Sequence, residues 1–265
     1  MSYTELMAFV RETQALGQIA GRLGWDQETV MPKGAGAQRA EEHGAMAKVL
    51  HARGTDPRIA EWLDAATPET PEQAAQLRHI ERSYARATKV PADLAAQIAK
   101  VTSLSQGVWA EARAADDFAG FAPTLSQVVA LKREEGAALA DGGDVYDAML
   151  DDYEPGMTAA ELSAMFDALR PGLVALRDEV MGRAQPPALK GSFDEARQLE
   201  LSSKLAQVFG YDLSRGRIDK AVHPFSSGSG QDVRITTRTA ADDPFNCFYS
   251  TIHEVGHACY EQNID

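Results

Sequence analysis

Apolar residues at helical spacing, repeated helix-start signals and one late switch to alternation together predict a mostly α-helical protein with one small β-sheet. From Tyr3 to Leu23, the residues Leu6, Phe9, Val10, Leu16, Ile19 and Leu23 mark one helical face. This N-terminal stretch carries acidic residues and no basic flank before an apolar block, so it reads as an amphipathic helix and not as an export signal. Gly34 to Leu50 is rich in Ala, Glu and Met, which favour helix. In Thr67-Pro-Glu-Thr-Pro-Glu, Thr70 suits a cap, Pro71 the first helical position and Glu72 the first turn. Val90-Pro91-Ala-Asp93 restarts a helix that runs past Trp109, and Thr124 to Leu139 forms another, broken at Asp141-Gly-Gly-Asp. Thr158-Ala-Ala-Glu161 is a capping box opening a helix through Phe166 and Leu169, which Pro171 should bend or restart before Met181. Gln185-Pro-Pro-Ala188 reads as a loop, and Ser192-Phe-Asp-Glu195 starts a helix that ends at Gly210.

Beyond Gly210 the texture changes. His223-Pro-Phe-Ser-Ser-Gly-Ser-Gly230 is loop-like, and Gln231 to Thr239 alternates. A period of two sets Val233, Ile235 and Thr237 on one face and Asp232, Arg234, Thr236 and Arg238 on the other, a half-buried strand with a charged second face. From Pro244 the helical period returns, with Phe245, Phe248, Ile252, Val255 and Cys259 as its expected apolar stripe. No internal repeat or low-complexity tract interrupts the chain, which reads as one helical body over residues 1–265.

The chain has 265 residues, 44% of them hydrophobic and 25% charged, enough to bury a sizeable core. No apolar run is long enough to span a bilayer, which argues against a membrane partner. A net charge of −13 argues against nucleic acid, whose phosphates would be repelled. Cys247 and Cys259, on one helix, would lie about 18 Å apart along its axis, too far for a disulfide. Two free thiols and no export signal favour the reducing cytoplasm.

Within the last helix, His253, Glu254 and His257 spell H-E-x-x-H. Residues four apart share a helical face, so the two imidazoles can hold one metal ion. Glu254 then lies beside the metal, placed to move a proton between water and a leaving amine. A short strand followed by such a helix is also the order found in zincin-type peptidases. The bland alternative is a chance match on a solvated helix.

Four stretches resemble the thermostable (Taq-type) carboxypeptidase 1 family of zinc metallopeptidases. They are Trp25-Asp-Gln-Glu-Thr-Val-Met31-Pro32 with Gly36-Ala-Gln-Arg39-Ala-Glu41; Gly210-Tyr-Asp212, Gly216-Arg-Ile-Asp219 and His223-Pro224-Phe225; Asp232-Val-Arg234-Ile-Thr236, similar to a D-x-R-x-T motif; and His253 through Gln262. The resemblance implies a helical fold around a deep groove, a zinc or cobalt ion, removal of single residues from peptide C-termini, and a homodimer. It also implies a third ligand, a glutamate in a downstream H-E-S/G-Q motif, and carboxylate-reading motifs further on. These motifs are not among the 265 residues, so the chain is expected to be the N-terminal portion of a longer enzyme, with residues 211–265 forming half of the metal site. Two histidines alone should bind metal weakly, and His223 sits in a stretch that the family does not use for ligands.

For Asp232, Arg234 and Thr236 the plain reading is an ion-paired sheet surface; the resemblance instead implies support or lining of the cleft. Tyr260 either hydrogen-bonds a ligand or packs. Trp25, Trp62 and Trp109 are expected in the core, and His43, His51 and His79 at the surface or as caps. A reading of another class also stands: a short, non-catalytic helical protein for binding or dimerisation.

Overall fold

A computed structural model describes residues 2–184, 187 and 189–264. Helices α1 (Ser2–Thr29), α2 (Gly36–Gly54), α3 (Arg58–Ala65), α4 (Pro71–Lys89) and α5 (Ala92–Ala114) come first. They are followed by α6 (Phe118–Ala140), α7 (Val145–Leu150), α8 (Ala159–Met181) and α9 (Glu195–Val208). Strands β1 (Ile218–Lys220), β2 (Ser226–Ser229) and β3 (Asp232–Thr237) then precede the last helix, α10 (Pro244–Gln262). Among the described residues no helix is long and apolar enough to cross a membrane. Gln185, Pro186 and Ala188 of the expected loop lie outside the described residues.

Side-chain caps set most of the helix starts. Thr70 accepts the Gln73 N–H with Pro71 behind it, and Thr158 and Glu161 complete both arms of the capping box. One helix start needs correction. α6 starts at Phe118, not Thr124, because Asp117 accepts the Gly120 N–H at 2.9 Å and opens the helix upstream of Pro123. α9 starts within the expected Ser192-Phe-Asp-Glu195 stretch, with Asp194 as the cap, whose carboxylate accepts the Arg197 N–H at 2.9 Å. Of the two alternatives at Pro171, a restart does not occur, since α8 runs unbroken through it; that residue is exposed, so water can serve the carbonyl that loses its N–H partner.

The N-terminal helices pack around Leu6, Phe9 and Ile59, with Trp62, Leu77 and Tyr84 against them. α2 lies along α5, and α5 along α6. Of the three tryptophans expected inside, Trp25 is buried, while Trp62 and Trp109 are half-buried. His79 is exposed; His43 is half-buried; His51, also half-buried, meets the Val90 carbonyl at 2.6 Å.

A second core joins the sheet to the last two helices. The strand order is β1-β3-β2, with β1 parallel to β3 (Ile218 opposite Ile235) and β2 antiparallel (Ser227 opposite Arg234). Val233 and Ile235 are fully buried with Ala206, Tyr211, Val255 and Ala258. Full burial of such aliphatic side chains stabilises by roughly 1.5–3 kcal/mol each. Gly210, at φ +100°, closes α9: its N–H reaches the Gln207 carbonyl, and the Tyr211 N–H returns to that of Ala206. That turn drops the Tyr211 ring into the core. The face of β3 expected to be charged is split, for Thr236 is fully buried under the 223–225 segment while Asp232 and Arg234 are partly exposed.

Candidate metal centre

α10 begins at Pro244 behind Asp243, which accepts the Phe245 N–H at 3.1 Å. Its inward face differs from the expected stripe. Cys247, Thr251, Glu254, Val255, Ala258 and Gln262 are buried, Phe248, Ile252 and Cys259 are half-buried, and Phe245 is exposed. The inner face tolerates polar residues because they are paired. Thr251 donates to the Cys247 carbonyl at 2.8 Å, and its hydroxyl oxygen lies 3.0 Å from Thr237 Oγ1. The Gln262 amide accepts the Asp212 N–H and donates to the Asp212 carbonyl, both at 3.0 Å. The two cysteines are free: Cys247 is buried beside Ser202, and Cys259 is half-buried.

This rotation leaves His253 and His257 exposed while Glu254 is only 6% exposed. The imidazoles stand edge to face, centroids 5.0 Å apart, with their Nε2 atoms at 3.3 Å. Two imidazoles bound at about 2.05 Å to a tetrahedral ion would set their nitrogens about 3.3 Å apart, so the pair fits two corners of a zinc site. Among the described residues no group of three or more His, Cys, Asp or Glu could hold a metal. Burial pushes the Glu254 carboxyl above its ordinary range, while His253, His257 and His223 pull it back.

The pair opens on a cavity of about 590 Å³ that His223, Phe225, Ser226, Glu254 and Glu261 also line. His223 arrives from a different segment, and Thr236 holds that segment in place. Its hydroxyl accepts the Phe225 N–H at 2.8 Å and donates to the Phe225 carbonyl at 3.2 Å. Asp232 and Arg234 stay out of this cavity. They form a two-pronged ion pair at 2.8 and 3.0 Å, with Arg22 on Asp232 at 3.1 Å and Arg234 over the Trp25 ring at 4.4 Å. Bonds from Arg234, then Arg22, hold the Asp232 carboxyl below its ordinary range against the opposing effect of burial. This cluster lines a neighbouring groove of about 610 Å³, which shares Ser227 and Gly228 with the cavity beside His253 and His257. Tyr260 is 69% exposed and outside the cavity lining.

Two residues escaped the sequence reading. Glu261 lies one turn beyond His257, so the helical period could have found it. Glu28, at the end of α1, is pushed up by burial and pulled back by His223; no local spacing links those two.

The segment from residue 5 to 265 matches the family described as Carboxypeptidase Taq (M32) metallopeptidase. Thermostable carboxypeptidase 1 of Thermus thermophilus is 39% identical over 99% of this chain and 55% of its own length. The M32 carboxypeptidase from Deinococcus radiodurans superposes with a TM-score of 0.84 at 36% identity, covering 100% of this chain and 54% of its own. The BsuCP crystal structure gives 0.93 at 29% identity, covering 100% and 55%. The chain therefore spans about half the length of the relatives it matches. With its helical body, small sheet and H-E-x-x-H helix, it belongs to the carboxypeptidase Taq (M32) metallopeptidase family.

Proposed function

We propose that this chain supplies two metal ligands and the general base of a metal-dependent carboxypeptidase. One observation carries the reading: two imidazole nitrogens converge to 3.3 Å beside a buried carboxyl. His253 and His257 hold the ion, which is zinc, with cobalt as the alternative that the same donors accept. When bound, the ion polarises the scissile carbonyl and acidifies the attacking water. Glu254 accepts a proton as the water oxygen adds to the carbonyl carbon. It returns a proton to the amine nitrogen as the C–N bond breaks. His223, braced by Thr236, faces the substrate across the cavity, while Asp232 and Arg234 stiffen the adjoining start of β3. Tyr260 meets the bound peptide from the rim.

The substrates are peptides, shortened one residue at a time from the C-terminus. A third protein ligand, a carboxylate, comes from polypeptide outside these 265 residues. The lack of a third donor among the described residues and the greater length of the relatives support this. The assembly is a cytoplasmic homodimer that engages neither nucleic acid nor membrane, in keeping with a net charge of −13.

Zinc titration against a chromogenic chelator tests the site. His253→Ala or His257→Ala should weaken binding at least tenfold, whereas Glu254→Gln should leave it within a few-fold. Equal binding by all three variants would sink the assignment. The 1–265 chain alone should release no C-terminal residues from peptides, and robust release that a chelator abolishes would refute the need for an outside ligand.

A further inference from the structure

α8 has the sequence of a core helix and the exposure of a surface one. Leu162, Phe166, Leu169, Leu173, Leu176 and Val180 alternate steps of four and three, the spacing of a helix-packing seam. From Phe166 onward these side chains are between 50% and 57% exposed. Met165, Val174 and Met181, also exposed, widen the apolar arc to about 180° at roughly 100° per residue. The helix has α7 as its main neighbour. Exposed apolar patches beyond a few hundred Å² are uncommon on proteins that stand alone.

We propose that this face of α8 is a docking surface for the remainder of the family fold, the part of an M32 carboxypeptidase that lies beyond the segment matched by this chain. The proposal takes its occupant from the metallocarboxypeptidase reading and rests on it to that extent. Three observations favour this occupant over a second copy. The relatives carry the same fold over this whole chain, yet the chain covers only 55% of them, so nearly half of each relative lies beyond the matched part and is available to cover such a face. An arc of about 180° exceeds the narrow seam that a single paired helix covers, and needs more than one element against it. Arg170 and Arg177 lie within the arc, and their ion pairs are with the exposed Asp167 and Asp178 of the same helix. A symmetric antiparallel α8 pair would set these arginine rows against each other, whereas an occupant with acidic residues there would be attracted.

The test co-expresses the 265-residue chain with a tagged polypeptide, the part of Thermus thermophilus thermostable carboxypeptidase 1 beyond the matched segment. The tagged polypeptide should retain the chain and slow hydrogen exchange over Ala159–Met181 at least tenfold. Leu169→Glu with Leu173→Glu should abolish retention without changing the helicity of the chain alone, because both residues are exposed. Ala175→Glu, on the opposite face, should leave retention intact. Failure to retain the wild-type chain, retention without protection of α8, or equal retention of the double variant would each overturn the proposal. So would a dimer of the chain alone, seen by sedimentation, that the double variant dissociates, since that assigns the face to a second copy. A complex that protects α8 but binds no zinc would leave the docking surface standing and overturn the metal assignment instead.

Discussion

Tyr211 holds the sheet to the turn before it with one hydroxyl. That hydroxyl lies 2.6 Å from the Val233 carbonyl and 3.1 Å from the Arg217 carbonyl, inside the second core. Tyr211→Phe keeps the ring and takes the hydroxyl from the Val233 carbonyl, while the Arg217 carbonyl keeps the Ile235 N–H at 3.0 Å, so chemical denaturation should report a loss of about 1–3 kcal/mol. Burial raises the phenol from 10.0 to about 12, meaning that the folded chain holds this proton more tightly than the unfolded one. Its contribution to stability is therefore complete below about pH 10 and is lost as the pH climbs through about 12. Tyr211→Phe should flatten that alkaline decline in melting temperature; an unchanged slope would mean that another group sets it. Gly216 is bound to the same hydroxyl by lack of space, since a Cβ there would come within 2.0 Å of the Tyr211 oxygen and 2.2 Å of the Val233 oxygen. Gly216→Ala should cost at least as much as an overpacked core, about 1–3 kcal/mol by thermal denaturation. Tyr211, Gly216, Arg217 and Val233 all stood in the sequence within short motifs, with nothing there to link one to another. The pairing of a tyrosine with a strand 22 residues away has no local signature.

At the scale of elements, caps were readable and orientations were not. Thr158→Ala removes one arm of the capping box, a loss of about 0.5–2 kcal/mol to the helix. Because α8 has so little packed on it, the effect should appear as faster exchange near Ala159–Ser163 with little change in the global melt. Thr236→Val keeps the volume of a buried side chain but frees the Phe225 N–H, while the Phe225 carbonyl keeps the backbone N–H of residue 236 at 2.9 Å. The cost should be about 1–3 kcal/mol, with exchange at Phe225 accelerated more than in β3 itself. If Phe225 stayed as protected as before, Thr236 would have no hold on the His223 segment. The periodicity of α10 placed a helix correctly but put its apolar stripe off centre. Hydropathy treats Thr251, Glu254 and Gln262 as outward residues, yet two of them are paired inside with Thr237 and Asp212, and Glu254 is buried with them. The start of α6 was missed for a related reason: one capping aspartate outweighs a proline six residues later.

For the whole molecule, metal and fold should be linked. A ligand that binds only the folded chain stabilises it by about 2.7 kcal/mol at 100 times its Kd. Excess zinc should thus raise the melting temperature of the wild-type chain and leave His253→Ala unchanged. An equal rise in both would place the ion elsewhere. Helices, caps, the single sheet and the H-E-x-x-H spacing were legible in the sequence because each is settled within one or two turns or one strand. Tertiary packing alone decided that Glu254 turns inward while its neighbouring histidines face out, that Thr236 carries His223 to the same cavity, and that α8 keeps its apolar arc uncovered. These depend on which surfaces meet across long stretches of chain, and the free energy of burial is set by that meeting and not by any local pattern.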